Sequence, residues 1–95
     1  MGKHNALIHE AIDDVAVVIV DISNGGEVSA VTLDGDPQGT VTAVQDIPLG
    51  HKIAMKDIPA GKELIKYGRA IGKATTDIAK GQHVHTHNVK SQRWA

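Results

Sequence analysis

One short phrase recurs along this chain and limits what it can fold into. Asp46-Ile47-Pro48-Leu49-Gly50, Asp57-Ile58-Pro59-Ala60-Gly61 and Asp77-Ile78-Ala79-Lys80-Gly81 share the pattern Asp-Ile-x-x-Gly, and Asp21-Ile22 followed by Gly25 is a looser fourth copy. Each reads as a strand end whose Ile enters the core, then a turn whose first corner is pre-set by Pro in two copies, then a Gly free to take positive φ. A new short strand follows three of these glycines: His51-Lys52-Ile53-Ala54-Met55, Lys62-Glu63-Leu64-Ile65 and Gln82-His83-Val84-His85. Gly or Pro thus cuts any helical spacing within about ten residues, and the most helix-like piece, Thr75 to Lys80, amounts to a turn. The copies are too irregularly spaced for a solenoid. They describe tight, strand-after-turn folding of one small body.

The remaining segments agree. Asp13-Asp14-Val15-Ala16-Val17-Val18-Ile19-Val20-Asp21 is a polar-bounded, Val-rich run, expected to be a strand buried on both faces. After the Ser23-Asn24-Gly25-Gly26 turn, Glu27 to Leu33 alternates polar and apolar like a strand with one wet face. Asp34 to Gly39 is the next turn cluster, and Thr40 to Val44 alternates again. With no Phe, one Trp and one Tyr, the core must be built from Val, Ile, Leu and Ala, a composition that favours sheet. A mainly β fold of short strands and twisted hairpins follows, in a chain of 95 residues that suits one domain. We divide it into an N-terminal extension (1–12), the β domain (13–89) and a C-terminal tail (90–95).

Composition also narrows function. No Cys means no disulfide, thiol nucleophile or thiolate metal site. A net charge of −1 is a poor match to a protein that neutralises phosphates, so nucleic acid is not expected as a partner. The longest apolar run, Val15 to Val20, is far shorter than the roughly 20 residues of a membrane span, and the expectation is a cytoplasmic protein without a membrane partner. There is no dinucleotide-binding or phosphate-loop glycine pattern and no Gly-x-Ser-x-Gly.

Three of the six histidines fall in His83-Val84-His85-Thr86-His87-Asn88. On an extended strand the side chains of His83, His85 and His87 share one face. Neighbours in that set stand roughly 6.5 to 7 Å apart at Cα, within reach of one metal ion, whereas the outer pair, roughly 13 Å apart, is not unless the strand bends. Further ligands must come from elsewhere, and His51, on the strand launched by a copy of the same turn, is the first candidate. The alternative is an edge strand with a solvated imidazole face and an apolar face of Val84 and Val89. Gly50-His51-Lys52 sets an acid/base group and a cation suited to a carboxylate beside freed backbone amides, or it is an ordinary exposed turn. Lys52, Lys56, Lys62, Lys66, Arg69 and Lys73 form a basic stretch able to recognise an anion, or a solvated face. Trp94 and Arg93, near the chain end, are residue types that anchor interfaces, or a frayed terminus.

Taken together, Asp46-Ile47-Pro48-x-Gly50-His51-Lys52-x-Ala54-x-Lys56-Asp57-Ile58, Ile65-Lys66-Tyr67-Gly68-x-x-Ile71-Gly72, Gly81-x-His83-Val84-His85-Thr86-His87-Asn88 and Lys90-x-x-Arg93-Trp94 closely resemble the SAF domain of the altronate/galactarate dehydratase family, in its separate small-subunit form. The same blocks are similar to the small subunit of sulfolactate sulfo-lyase. The resemblance implies a β-clip (SAF-like) fold with two protruding hairpins, a larger catalytic subunit as partner, and a divalent metal cofactor, iron or manganese. It implies the small subunit of a sugar-acid dehydratase that yields a 2-keto-3-deoxy acid. The alternatives are the sulfo-lyase subunit, which cleaves carbon–sulfur, and a non-catalytic SAF-type carbohydrate-binding module. On this reading His83, His85 and His87 help to hold metal. His51 and Lys52 act on the acid, and Lys52, Lys56, Lys66 and Asn88 contact the sugar acid. Arg93 and Trp94 meet the partner. In isolation the domain is expected to be able to self-associate.

Overall fold

The four Asp-Ile phrases pair off two by two. In the computed structural model, which describes residues 4–9, 13–66, 69–85 and 88–91 and only the backbone of Lys66, Arg69, Lys90 and Ser91, Ile22 bridges Ile47 and Ile58 bridges Ile78, both antiparallel. Within each pair the two Ile exchange N–H···O=C bonds of 2.7–2.9 Å. Each Asp then holds the turn of its partner phrase: Asp21 Oδ1 accepts from Leu49 N–H and Asp46 Oδ1 from Asn24 N–H, both at 2.8 Å. Asp57 Oδ1 likewise accepts from Lys80 N–H (2.9 Å) and Asp77 Oδ1 from Ala60 N–H (2.8 Å). All four Ile are buried. The Asp is therefore a reciprocal cap that satisfies a turn amide which would otherwise face water.

These turns start one residue later than the sequence suggests. His51 N–H bonds to Pro48 C=O and Lys62 N–H to Pro59 C=O, so each Pro is the opening residue and Leu49 or Ala60 is the first corner. Gly50 and Gly61, at φ 86° and 85°, fill the second corner, the position in such a turn that needs positive φ. Asp46→Ala removes one cap from the surface and is expected to cost about 1 kcal/mol, by analogy with helix N-caps, or roughly 4–8 °C in a thermal melt of a domain this size.

Strand β1 is Ala6–Leu7, β2 Val15–Val18, β3 Glu27–Val31, β4 Pro37–Thr42, β5 Lys52–Ala54, β6 Glu63–Lys66, β7 Arg69–Ala74, β8 His83–Val84 and β9 Val89–Ser91. Six strands form a sheet in the order β4-β3-β1-β2-β5-β8, and three form a second in the order β6-β7-β9. The described residues contain strands and turns and no helix, the mainly β, SAF-like architecture expected. None of their secondary structure is a helix long and apolar enough to cross a membrane. The consecutive antiparallel pairs are β1–β2, β3–β4 and β6–β7, the last two each with a register irregularity.

Three expectations need adjustment. Ala6–Leu7 lies in the stretch read as an extension, yet β1 is inserted between β2 (antiparallel) and β3 (parallel), with Ala6 and Ile8 in the core. The run from Val15 stops pairing as a strand at Val18. Ile19 and Val20 are 37% and 47% exposed, because the backbone there turns into the first Asp-Ile phrase. Strand β4 begins at Pro37, inside the expected turn cluster, opposite Val31, a tolerable place for Pro at the start of an edge strand.

Two packed clusters fill the domain. One gathers Ile8, Val18, Ile22, Val28, Val41, Ile47 and Ile53, and the other Val15, Ala54, Ile58, Leu64, Ile78 and Val84. The two sheets are tied together at Asp14. Its backbone N–H bonds to Ile65 C=O (2.8 Å) and its C=O accepts from Met55 (2.9 Å). Its buried carboxylate accepts from Lys62 Nζ at 2.8 Å and Ile65 N–H at 2.9 Å, with Lys56 Nζ at 3.6 Å.

Candidate metal centre

Antiparallel pairing of β5 with β8 sets Lys52 opposite Val84 and Ile53 opposite His83. Paired residues share a face, and alternate residues along each strand change face. Val84 and Ala54 point into one core cluster while Ile53 belongs to the other. His51, two residues before Ile53, and His85, two after His83, therefore gather on the Ile53 face.

The rings do meet. His51 Nδ1 and His83 Nε2 stand 2.9 Å apart. Ring centroids are 5.0 Å apart for His51 and His83, 4.6 Å for His51 and His85, and 5.8 Å for His83 and His85. One nitrogen from each ring lies within 4.8 Å of the others, with His51 and His83 half-buried and His85 exposed, so the three could hold a metal ion. Two nitrogens each about 2.1 Å from one ion are about 3.0 Å apart at right angles and at most about 4.2 Å apart. The His51–His83 spacing already suits such an ion, and the His85 nitrogen lies within 4.8 Å of both. Neutral imidazoles suit zinc, iron and other transition ions.

The backbone beneath the rings is held by side chains. Asn88, 1% exposed, donates from Nδ2 to His83 C=O (2.8 Å) and accepts His85 N–H on Oδ1 (2.9 Å). Gln45 Oε1 accepts His83 N–H at 2.9 Å. Nothing in the sequence singles out Gln45, since its partner is 38 positions away. Asn88, expected at the substrate, spends its described amide bonds on the loop that carries the histidines.

Among the described residues, the other expected site residues do not join the cluster. Lys52 shares the face of Val84 and Ala54, opposite to the rings, because adjacent residues on a strand point apart. Lys56 and Lys62 converge on Asp14. His87, Arg93, Trp94 and the side chain of Lys66 lie outside what the structure describes.

This histidine-bearing β fold can now be set beside known proteins. The sequence model of the altronate/galactarate dehydratase SAF domain matches residues 4–92. The chain belongs to that family. This SAF domain is 49% identical over 81 residues to altronate dehydratase of Escherichia coli (strain K12), covering 85% of the chain but 15% of that protein. It is 37% identical over 89 residues to (2R)-sulfolactate sulfo-lyase subunit alpha of Chromohalobacter salexigens, covering 93% of the chain and 95% of that subunit. The subunit of the same name from Paracoccus pantotrophus is 54% identical over 54 residues, covering 57% of the chain and 81% of the subunit. The SAF domain thus corresponds to a small part of one relative and to nearly the whole of another.

Proposed function

We propose that this SAF domain is the small subunit of a metal-dependent sugar-acid dehydratase and completes the active site of a larger catalytic subunit. The observation that carries the reading is the convergence of His51, His83 and His85 on an open face, in a domain that makes up 15% of an altronate dehydratase. The reaction breaks the C–H bond α to a carboxylate and the C–O bond of the β-hydroxyl, and water leaves. The enol that remains becomes the 2-keto-3-deoxy acid. A divalent ion, iron or manganese, would polarise substrate oxygens, acidify the α-proton and make the hydroxyl a better leaving group.

The chain's own residues prepare that site. His51 and His83 are close enough to share one hydrogen, and the tautomer that carries it on the far nitrogen of its own ring leaves both rings neutral with both facing lone pairs free for a ligand. The exposed His85 ring faces outward, where a partner subunit and an anionic acid have access. Three imidazoles leave further positions to be filled by substrate or by groups of the larger subunit. His87 and Lys66 remain proposed contacts, and Arg93 with Trp94 a proposed partner anchor.

A second reading has its own support. The chain spans 95% of a sulfo-lyase subunit alpha, which favours a separate small subunit and admits carbon–sulfur cleavage at the same site. Co-expression with a large dehydratase-type subunit from the same genome, anaerobic purification and assay on altronate, galactarate and sulfolactate separates the two. We expect turnover of one acid by the complex and none by either chain alone. Failure to form a complex, together with sugar binding by this chain alone, would replace both readings by a carbohydrate-binding module.

A further inference from the structure

The three rings converge only while β8, a two-residue strand at the edge of its sheet, stays in place. Its inner edge is hydrogen-bonded to β5. In the antiparallel register the Ile53–His83 pair lies between the bonded pairs, as the Ala54–Gln82 and Gly81–Ala54 bonds show, so the N–H and C=O of His83 point outward. Both are taken by side chains, the N–H by Gln45 and the C=O by Asn88.

We infer that Gln45 is a positioning residue for the three-histidine centre, setting the height of His83 over His51. Gln45 immediately precedes Asp46, and His51 follows the Gly50 of the same phrase. One copy of the repeat therefore grips His83 with its leading residue and delivers His51 from its trailing end. Val20, Lys56 and Thr76 hold the corresponding place in the other copies, and none has a carbonyl acceptor. Asn88 anchors the same strand from inside the fold, but its burial makes its replacement a change to the fold as well. Gln45 is exposed, so its loss leaves the packing intact. The inference rests on reading the histidines as a metal centre.

The test uses the full chain, Gln45→Met, which keeps length without the acceptor, and Gln45→Glu, which keeps an acceptor oxygen. Two readouts are taken: Co(II) affinity by optical titration, and imidazole nitrogen NMR spectra of the metal-free protein, which report the shared hydrogen of His51 and His83. Gln45→Met is expected to weaken Co(II) binding about tenfold, the lower end for supporting residues, and to erase the paired-ring signature at an unchanged thermal midpoint. Gln45→Glu should retain that signature. Wild-type behaviour of Gln45→Met in both readouts overturns the inference, and so does an equal loss in Gln45→Glu. A wild type that binds no Co(II), yet loses ring pairing only in Gln45→Met, upholds the positioning and overturns the metal reading instead.

Discussion

His51→Ala is expected to weaken Co(II) binding by this chain at least about 100-fold, beyond the range for supporting residues because a ligand itself is removed. The thermal midpoint should hardly move. The His51 side chain is half-buried, and the ring contacts described for it are with His83 and His85, so its removal costs the cluster a donor without opening the core. His4→Ala and His9→Ala are the matched controls, since both are exposed and neither belongs to the cluster. Isothermal titration of the four proteins decides the matter. Equal affinity in His51→Ala and wild type would mean that the rings are only stacked, and the proposed function would lose the observation that carries it.

Gly81→Ala is expected to be the most damaging single-methyl change among the glycines described. Gly81 sits at φ 91°, and a Cβ there would run into the carbonyl oxygen of Thr42. The left-handed backbone alone costs a non-glycine residue about 1–2 kcal/mol. The collision adds to it, because the backbone must shift at a place where Gly81 N–H bonds to Ala54 and Gly81 C=O to Val44. A total loss of about 3 kcal/mol or more is expected, a large share of the 5–15 kcal/mol that holds a typical domain together. Gly35→Ala separates the two causes. It has nearly the same φ, 90°, with nothing near the added carbon, and should show only the conformational part, about 1–2 kcal/mol. Urea midpoints for both variants give the comparison, and similar losses would show that the Thr42 contact is relieved at no cost.

Local periodicity made much of the fold readable. The alternation in Glu27–Val31 and the burial of Ile22, Ile47, Ile58 and Ile78 follow from residue type and turn chemistry alone. The same period of two put His83 and His85 on one face. What could not be read depends on partners far along the chain. A two-residue β1 carries no period of its own and exists because β2 and β3 flank it. Lys52 was grouped with His51 because they are neighbours in sequence, whereas a strand sends neighbours to opposite faces. Lys56 reads as part of an anion-recognising basic stretch, and the buried Asp14 that attracts it lies on another strand end. The resemblance makes Asn88 a substrate contact, but the loop folds back so that its amide satisfies the backbone of His83 and His85.

The reciprocal Asp caps carry a consequence for the order of assembly. The two pairs, 21 with 46 and 57 with 77, follow one another along the chain instead of interleaving. Each can close its own turns independently, giving two candidate units of cooperative opening and closing. His51 leaves the first unit, whereas His83 and His85 leave the second. Ring contact therefore joins residues delivered by the two units, and anything that bridges those rings ties one unit to the other.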